Sequence, residues 1–111
     1  MRGGQAVGDS VLKEAARRLA TEFKPLRIIL FGSQARGTAD ERSDVDLLII
    51  CPIKDKRRDL MLAMDRALAG LGIARDVFVL TMEEYERDRH IPGTVARPAS
   101  LEGRVLYDST T

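Results

Sequence analysis

The stretch GSQARGTADERSDVDLLII, Gly32 to Ile50, decides the fold. It joins two short apolar runs, LRIILF from Leu26 to Phe31 and VDLLIIC from Val45 to Cys51, both rich in branched residues. Runs of that length, bounded by Pro25, Gly32 and Pro52, predict buried strands with neighbours covering both faces. Working outward, Val11, Leu12, Ala15, Ala16, Leu19 and Phe23 recur at three- and four-residue steps and predict an amphipathic helix. Asp9 or Ser10 is placed to cap that helix, and Pro25 ends it. On the other side, Leu60, Ala63, Met64, Ala67 and Leu71 predict a second long helix over Asp55 to Ala69, closed by Gly70 and Gly72. Asp76 to Leu80 (DVFVL) reads as a third strand, and Thr81 with Glu84 forms a capping box for a short charged helix that fades near His90. Pro92 and Gly93 mark a turn, Thr94 to Glu102 predicts a further helical segment, and Val105 to Tyr107 a small edge strand. The order predicts an α/β (α+β) domain, a small sheet covered by helices, over residues 10–108 after a flexible lead-in at 1–9.

The chain has 111 residues, with 18 Lys and Arg against 17 Asp and Glu and a formal charge of +1. A chain of that length buries about 65% of the surface its unfolded form exposes, enough for one core but not for a separate substrate domain. Whatever it acts on is expected to dock from outside. Balanced charge argues against a general nucleic-acid or membrane-surface binder, which carries a net basic field. With Cys51 alone no internal disulfide forms, and the cytosol is the expected compartment. No apolar run approaches the roughly 20 residues that span a bilayer, and no signal-type stretch opens the chain, so a soluble protein is expected.

Chemistry is expected where the strands meet the polar stretch. Gly32 follows the first strand at once, and a residue without Cβ lets a ligand lie close to the main chain. Ser33 starts a short helical turn. The amides of Gln34, Ala35 and Arg36 are expected as donors that, with the Ser33 hydroxyl, suit phosphate oxygens. Arg36 adds a charge-assisted contact, and Gly37 suits the left-handed residue that ends the turn. Taken alone, a Gly-Ser pair is more often an ordinary capped turn. Asp44 and Asp46, two apart on one strand, point the same way about 6 to 7 Å from each other, while Val45 points into the core. Such a pair is unfavourable unless a cation or strong donors sit between the carboxylates. Oxygen donors without a Cys/His cluster favour magnesium over zinc. Asp76, at the head of the third strand, brings a third carboxylate if that strand lies beside the Asp44 strand. Singly, each acid reads as a solvated strand end. Together they describe a two-metal site for in-line attack on a nucleotide phosphate.

Gly32-Ser33, ten intervening residues and Asp44-Val45-Asp46 resemble the signature of the polymerase-beta nucleotidyltransferase superfamily, with Asp76 where that family has its third carboxylate. The chain is similar to the short bacterial and archaeal members called minimal nucleotidyltransferases. The likeness covers Leu26 to Leu80, and the closing EGRVLYD, Glu102 to Asp108, also resembles how those proteins end. It implies a mixed sheet of the polymerase-beta-like nucleotidyltransferase fold, with ATP held through its phosphates by Gly32 and Ser33. It also implies magnesium on Asp44 and Asp46, with Asp76 binding the catalytic metal and helping to deprotonate an acceptor hydroxyl. Larger relatives attach a helical domain that holds the acceptor, for which this chain is expected to have no room. The minimal proteins resemble the antitoxin of a toxin–antitoxin pair, whose partner is a small helical protein of the HEPN ribonuclease class. There the family transfers AMP from ATP to a tyrosine hydroxyl of the toxin. The resemblance therefore implies a protein adenylyltransferase that associates with the toxin or with itself. Two alternatives stand beside it: an antitoxin that neutralises its partner by covering it, and a transferase acting on a small molecule such as an antibiotic.

Other residues read as structural. His90 suits a helix C-terminus, and Cys51 a buried small hydrophobe. Met61 and Met64 read as packing of the second long helix. Arg17, Arg18, Arg57 and Arg58 read as solvated helix faces or, alternatively, as a partner or RNA surface. Tyr85 and Tyr107 stay ambiguous.

Overall fold

A computed structural model of the chain describes residues 8–38 and 44–110. The helix α1 (Asp9–Phe23) buries Leu12, Ala15, Ala16 and Leu19, the stripe expected from its spacing. Gly8 is its N-cap and no side chain caps it, so neither Asp9 nor Ser10 has that role. Asp9 instead lies in the first turn, where a carboxylate meets the positive end of the helix dipole. Most of the lead-in predicted at 1–9 lies outside the described residues. Lys24 leaves α1 in a left-handed conformation, φ 51°, directly before Pro25. Proline disfavours the α region for the residue before it, which gives the helix a sharp stop.

The strands are β1 (Arg27–Phe31), β2 (Val45–Ile50), β3 (Arg75–Leu80) and β4 (Arg104–Asp108), in a four-stranded sheet of order β3-β2-β1-β4. β1 runs antiparallel to β2 and β4, whereas β2 and β3 are parallel, so the sheet is mixed as expected. The parallel pair requires a crossover, and α3 (Arg57–Ala67) supplies it. This helix is shorter than the predicted 55–69. Lys56 is its extended N-cap, and the chain leaves helical geometry at Leu68 before Gly70 and Gly72, both at positive φ.

Between β1 and β2 stands a single helical turn, α2 (Ser33–Arg36), closed by left-handed Gly37. The rest of the polar stretch, 39–43, lies outside the described residues. The capping box of Thr81 and Glu84 opens α4 (Met82–Asp88) as predicted. The Asp88 carbonyl then accepts from the Thr94 hydroxyl at 2.8 Å and the Ile91 amide at 2.9 Å, which turns the chain through Arg89 and His90. α5 (Ala96–Glu102) begins two residues later than Thr94.

Alternation along the strands sorts the core into two clusters. Ile28, Leu30, Val45, Leu47, Ile49, Val77 and Val79 face α1 and α3, against Leu12, Leu19, Met64 and Leu68. Ile29, Phe31, Leu48 and Ile50 face α4 and α5, against Tyr85, Ala96 and Ala99. Burial on both faces is why β1 and β2 read as unbroken apolar runs. Arginines tie the helices together. Arg18 donates to the carbonyls of Ala67 and Ala69 at 3.2 and 3.0 Å, satisfying the open end of α3. Arg57 donates to the Val79 carbonyl and grips both Glu84 oxygens at 2.8 and 2.7 Å. Arg75 pairs with Asp65 at 2.9 Å. Arg18 and Arg57 thus link elements while keeping part of each side chain in water. Tyr85 is buried in the second cluster and Cys51 in the first.

Candidate functional site

The parallel register of β2 and β3 sets Asp46 opposite Asp76. Residues opposite in a parallel pair share a face, so both carboxylates leave the α4/α5 side of the sheet, in line with Leu48 and Phe78. Asp44 falls one residue before β2 and is exposed, not within the strand as expected. Val45 is wholly buried on the opposite face, as expected.

Negative charge is gathered at this end of the sheet. Burial pushes the Asp46 carboxyl above its ordinary value, the charges of Asp76 and Asp44 push it further, and Arg36 pulls the other way. Asp76 is also raised, first by burial, then by the charge of Asp44 and a side-chain hydrogen bond with it. The three acids thus feel one another, although among the described residues no three His, Cys, Asp or Glu side chains form a ready metal cage. His90 is exposed beyond α4 and Cys51 is buried at the far end of β2, so neither adds a soft donor. The donor set is oxygen only. It fits a hard divalent ion that takes a few carboxylate oxygens and completes its shell with water and phosphate oxygens.

Gly32 abuts this rim. Its backbone, φ 76° and ψ −158°, lies in a region open essentially to glycine, and an added Cβ would fall on the Asp46 carboxylate. Ser33 follows as the first residue of α2. One expectation is corrected: the amides of Ala35 and Arg36 donate to the Gly32 carbonyl, both at 3.1 Å, and do not wait for a ligand. The tight turn that brings Gly32 under Asp46 also aims its carbonyl along α2. Arg36 is half-exposed, and its Nη1 lies 3.4 Å from Glu102 Oε2 at the end of α5. Glu102 was not singled out by the sequence reading. Its signal was there in the closing EGRVLYD, but 66 residues separate it from Arg36 and only the fold joins them.

A family model described as "Nucleotidyltransferase domain" matches residues 12–100. A provisionally assigned protein adenylyltransferase of Methanocaldococcus jannaschii is 32% identical over 102 residues, covering 89% of this chain and 97% of the relative. A second such protein of that organism is 48% identical over 50 residues, 45% of this chain and 33% of the relative. The chain thus spans about a third of one relative and nearly all of the other. Among solved structures, a provisionally assigned nucleotidyltransferase from Sulfolobus solfataricus superposes with a TM-score of 0.65 at 25% identity, over 92% of this chain and 81% of that one. A toxin–antitoxin structure with AMP-PNP superposes at 0.58 and 20% identity, over 87% and 73%, a likeness of fold. With its strand-borne acids, its glycine turn and a domain match running from α1 into α5, the chain belongs to the nucleotidyltransferase domain family.

Proposed function

We propose that this chain transfers AMP from magnesium-bound ATP to a hydroxyl of a partner protein, a tyrosine of a helical HEPN-class toxin, and so acts as an antitoxin in the cytosol. The observation that carries the reading is the juxtaposition of Asp46 and Asp76 across β2 and β3, with Asp44 beside them and Gly32 against Asp46. Acids pressed together at a loss are what a bound cation relieves, and the same cation can carry a polyphosphate. The protein adenylyltransferase assignment of the relatives supports the reaction class, and the toxin–antitoxin neighbour with AMP-PNP supports both nucleotide and partner.

In this reading Asp44, Asp46 and Asp76 would hold two magnesium ions. When bound, the metal supplies charge neutralisation at the phosphates. Gly32 lets the phosphates approach the main chain, the Ser33 hydroxyl donates to a phosphate oxygen, and Arg36 contributes a charged donor. Asp76 accepts the proton of the acceptor hydroxyl as its oxygen attacks the α-phosphorus and pyrophosphate leaves. The test is incubation of the protein with the product of its neighbouring gene, ATP and magnesium, followed by intact mass of both chains, in parallel with Asp44→Asn. One or more AMP units on the partner, absent with the variant, are expected. A stable complex with no mass change would replace the transferase with a binding antitoxin.

A further inference from the structure

The closing segment from Glu102 to Asp108 has no part in the reaction as described, yet the fold carries its first residue to the phosphate turn. α5 ends at Glu102 and β4 starts at Arg104, alongside β1. Gly103 makes that junction possible. An added Cβ there would fall on the Ala99 carbonyl oxygen and on Cγ2 of Ile29, so the end of α5 presses onto β1 as only glycine allows. The result is the contact of Glu102 with Arg36, between side chains 39% and 45% exposed. It engages only Nη1, and at 3.4 Å it is loose. A guanidinium is a planar fork with five N–H donors, so the Nε–Nη2 edge remains for a two-point contact with another anion. Among the described residues that edge has no hydrogen-bond partner. The charge of Arg36 also reaches Asp46, so the guanidinium that contacts Glu102 is within electrostatic range of the acidic rim.

We propose that Glu102 is a positioning residue, which holds the Arg36 guanidinium beside the Gly32–Ser33 turn so that its open edge meets the phosphates of the incoming triphosphate. The proposal rests on the nucleotide-site reading above. An unanchored arginine samples many rotamers and loses them when it grips phosphate; an anchor made in advance removes part of that loss. An exposed ion pair is a weak restraint, so the effect is a factor of a few in affinity and not orders of magnitude.

The test is the affinity of the full chain for magnesium-ATP by titration calorimetry, in wild type, Glu102→Ala, Glu102→Gln, Arg36→Ala and the Arg36→Ala/Glu102→Ala double variant. Glu102→Ala is expected to weaken binding by about three- to fivefold. Glu102→Gln, which keeps an acceptor and loses the charge, should fall between that variant and wild type. In the Arg36→Ala background, removal of Glu102 should change nothing, because its effect passes through the guanidinium. Unchanged or tighter binding in Glu102→Ala would overturn the proposal, as would an equal loss with and without Arg36. Failure of the wild type to bind magnesium-ATP would be a different result, sinking the nucleotide site itself and the proposal with it.

Discussion

Gly32 answers two demands at once: a backbone conformation closed to side chains, and the space its missing Cβ leaves for the Asp46 carboxylate. Gly32→Ala should cost about 1 to 3 kcal/mol in urea denaturation, from backbone strain alone, and should also displace the carboxylate. For Asp46 the effect turns on pH. Its folded-state pKa is raised by burial and by Asp76 and Asp44, so ionising it costs more in the folded chain than in the unfolded one. The folded state is therefore favoured below the unfolded pKa, and that advantage is lost as pH rises through the raised value. Asp46→Asn should then shift the urea midpoint of the metal-free protein upward at pH 7 and leave it little changed near pH 3. A variant less stable than wild type at pH 7 would contradict this account of the rim. The placement of Asp46 at the head of β2 and of Gly32 directly after β1 was legible in sequence because strand alternation and a glycine after a strand are local signals, whereas Asp44, one residue before β2, escapes that alternation. The amides of Ala35 and Arg36 were misread because the Gly32 carbonyl competes for them, a matter of turn geometry that residue identity does not reveal.

Elements meet through a few charged links, and the joint of α3, β3 and α4 is the densest. Glu84 closes the capping box with Thr81 and receives Arg57 on both oxygens, which lowers its carboxyl from the ordinary 4.5 to about 2. A lowered carboxylate stabilises above its unfolded pKa, and that contribution fades as pH falls from 4.5 toward about 2. Glu84→Ala should cost about 1 to 2 kcal/mol at pH 7, the sum of a lost cap and a partly exposed ion pair, with the gap to wild type closing in acid. At the far end of α5, Gly103→Ala should cost about 1 to 3 kcal/mol by overpacking against Ile29. Circular dichroism melts of the two variants check both figures. The capping box was readable because Thr81 and Glu84 are three residues apart; the Arg57 link was not, since 27 residues separate it from Glu84. Likewise, the strands stood out by composition, while the β3-β2-β1-β4 order and the parallel register of β2 with β3 come from long-range pairing.

That register sets Asp46 opposite Asp76 at one end of the sheet, and the two-faced core holds it. Leu47 and Ile49 are pinned under α1 and α3, and Leu48 and Ile50 under α4 and α5, so β2 cannot slip by one residue without exposing a face. Among the described residues no helix is long and apolar enough to cross a membrane, in keeping with a sheet whose apolar surface is used internally. Asp46 and Asp76 sit where this rigid frame ends, and under the proposed function a bound cation would offset the cost of holding them side by side. The melting temperature with and without magnesium-ATP tests that claim most directly, in wild type and in Asp44→Asn/Asp46→Asn. At about a hundredfold excess of ligand over Kd, binding adds about 2.7 kcal/mol, a rise of about 10 °C for a domain of this size. The account predicts that rise in wild type and its loss in the double variant. The same rise in both would contradict it and remove Asp44 and Asp46 from the nucleotide site.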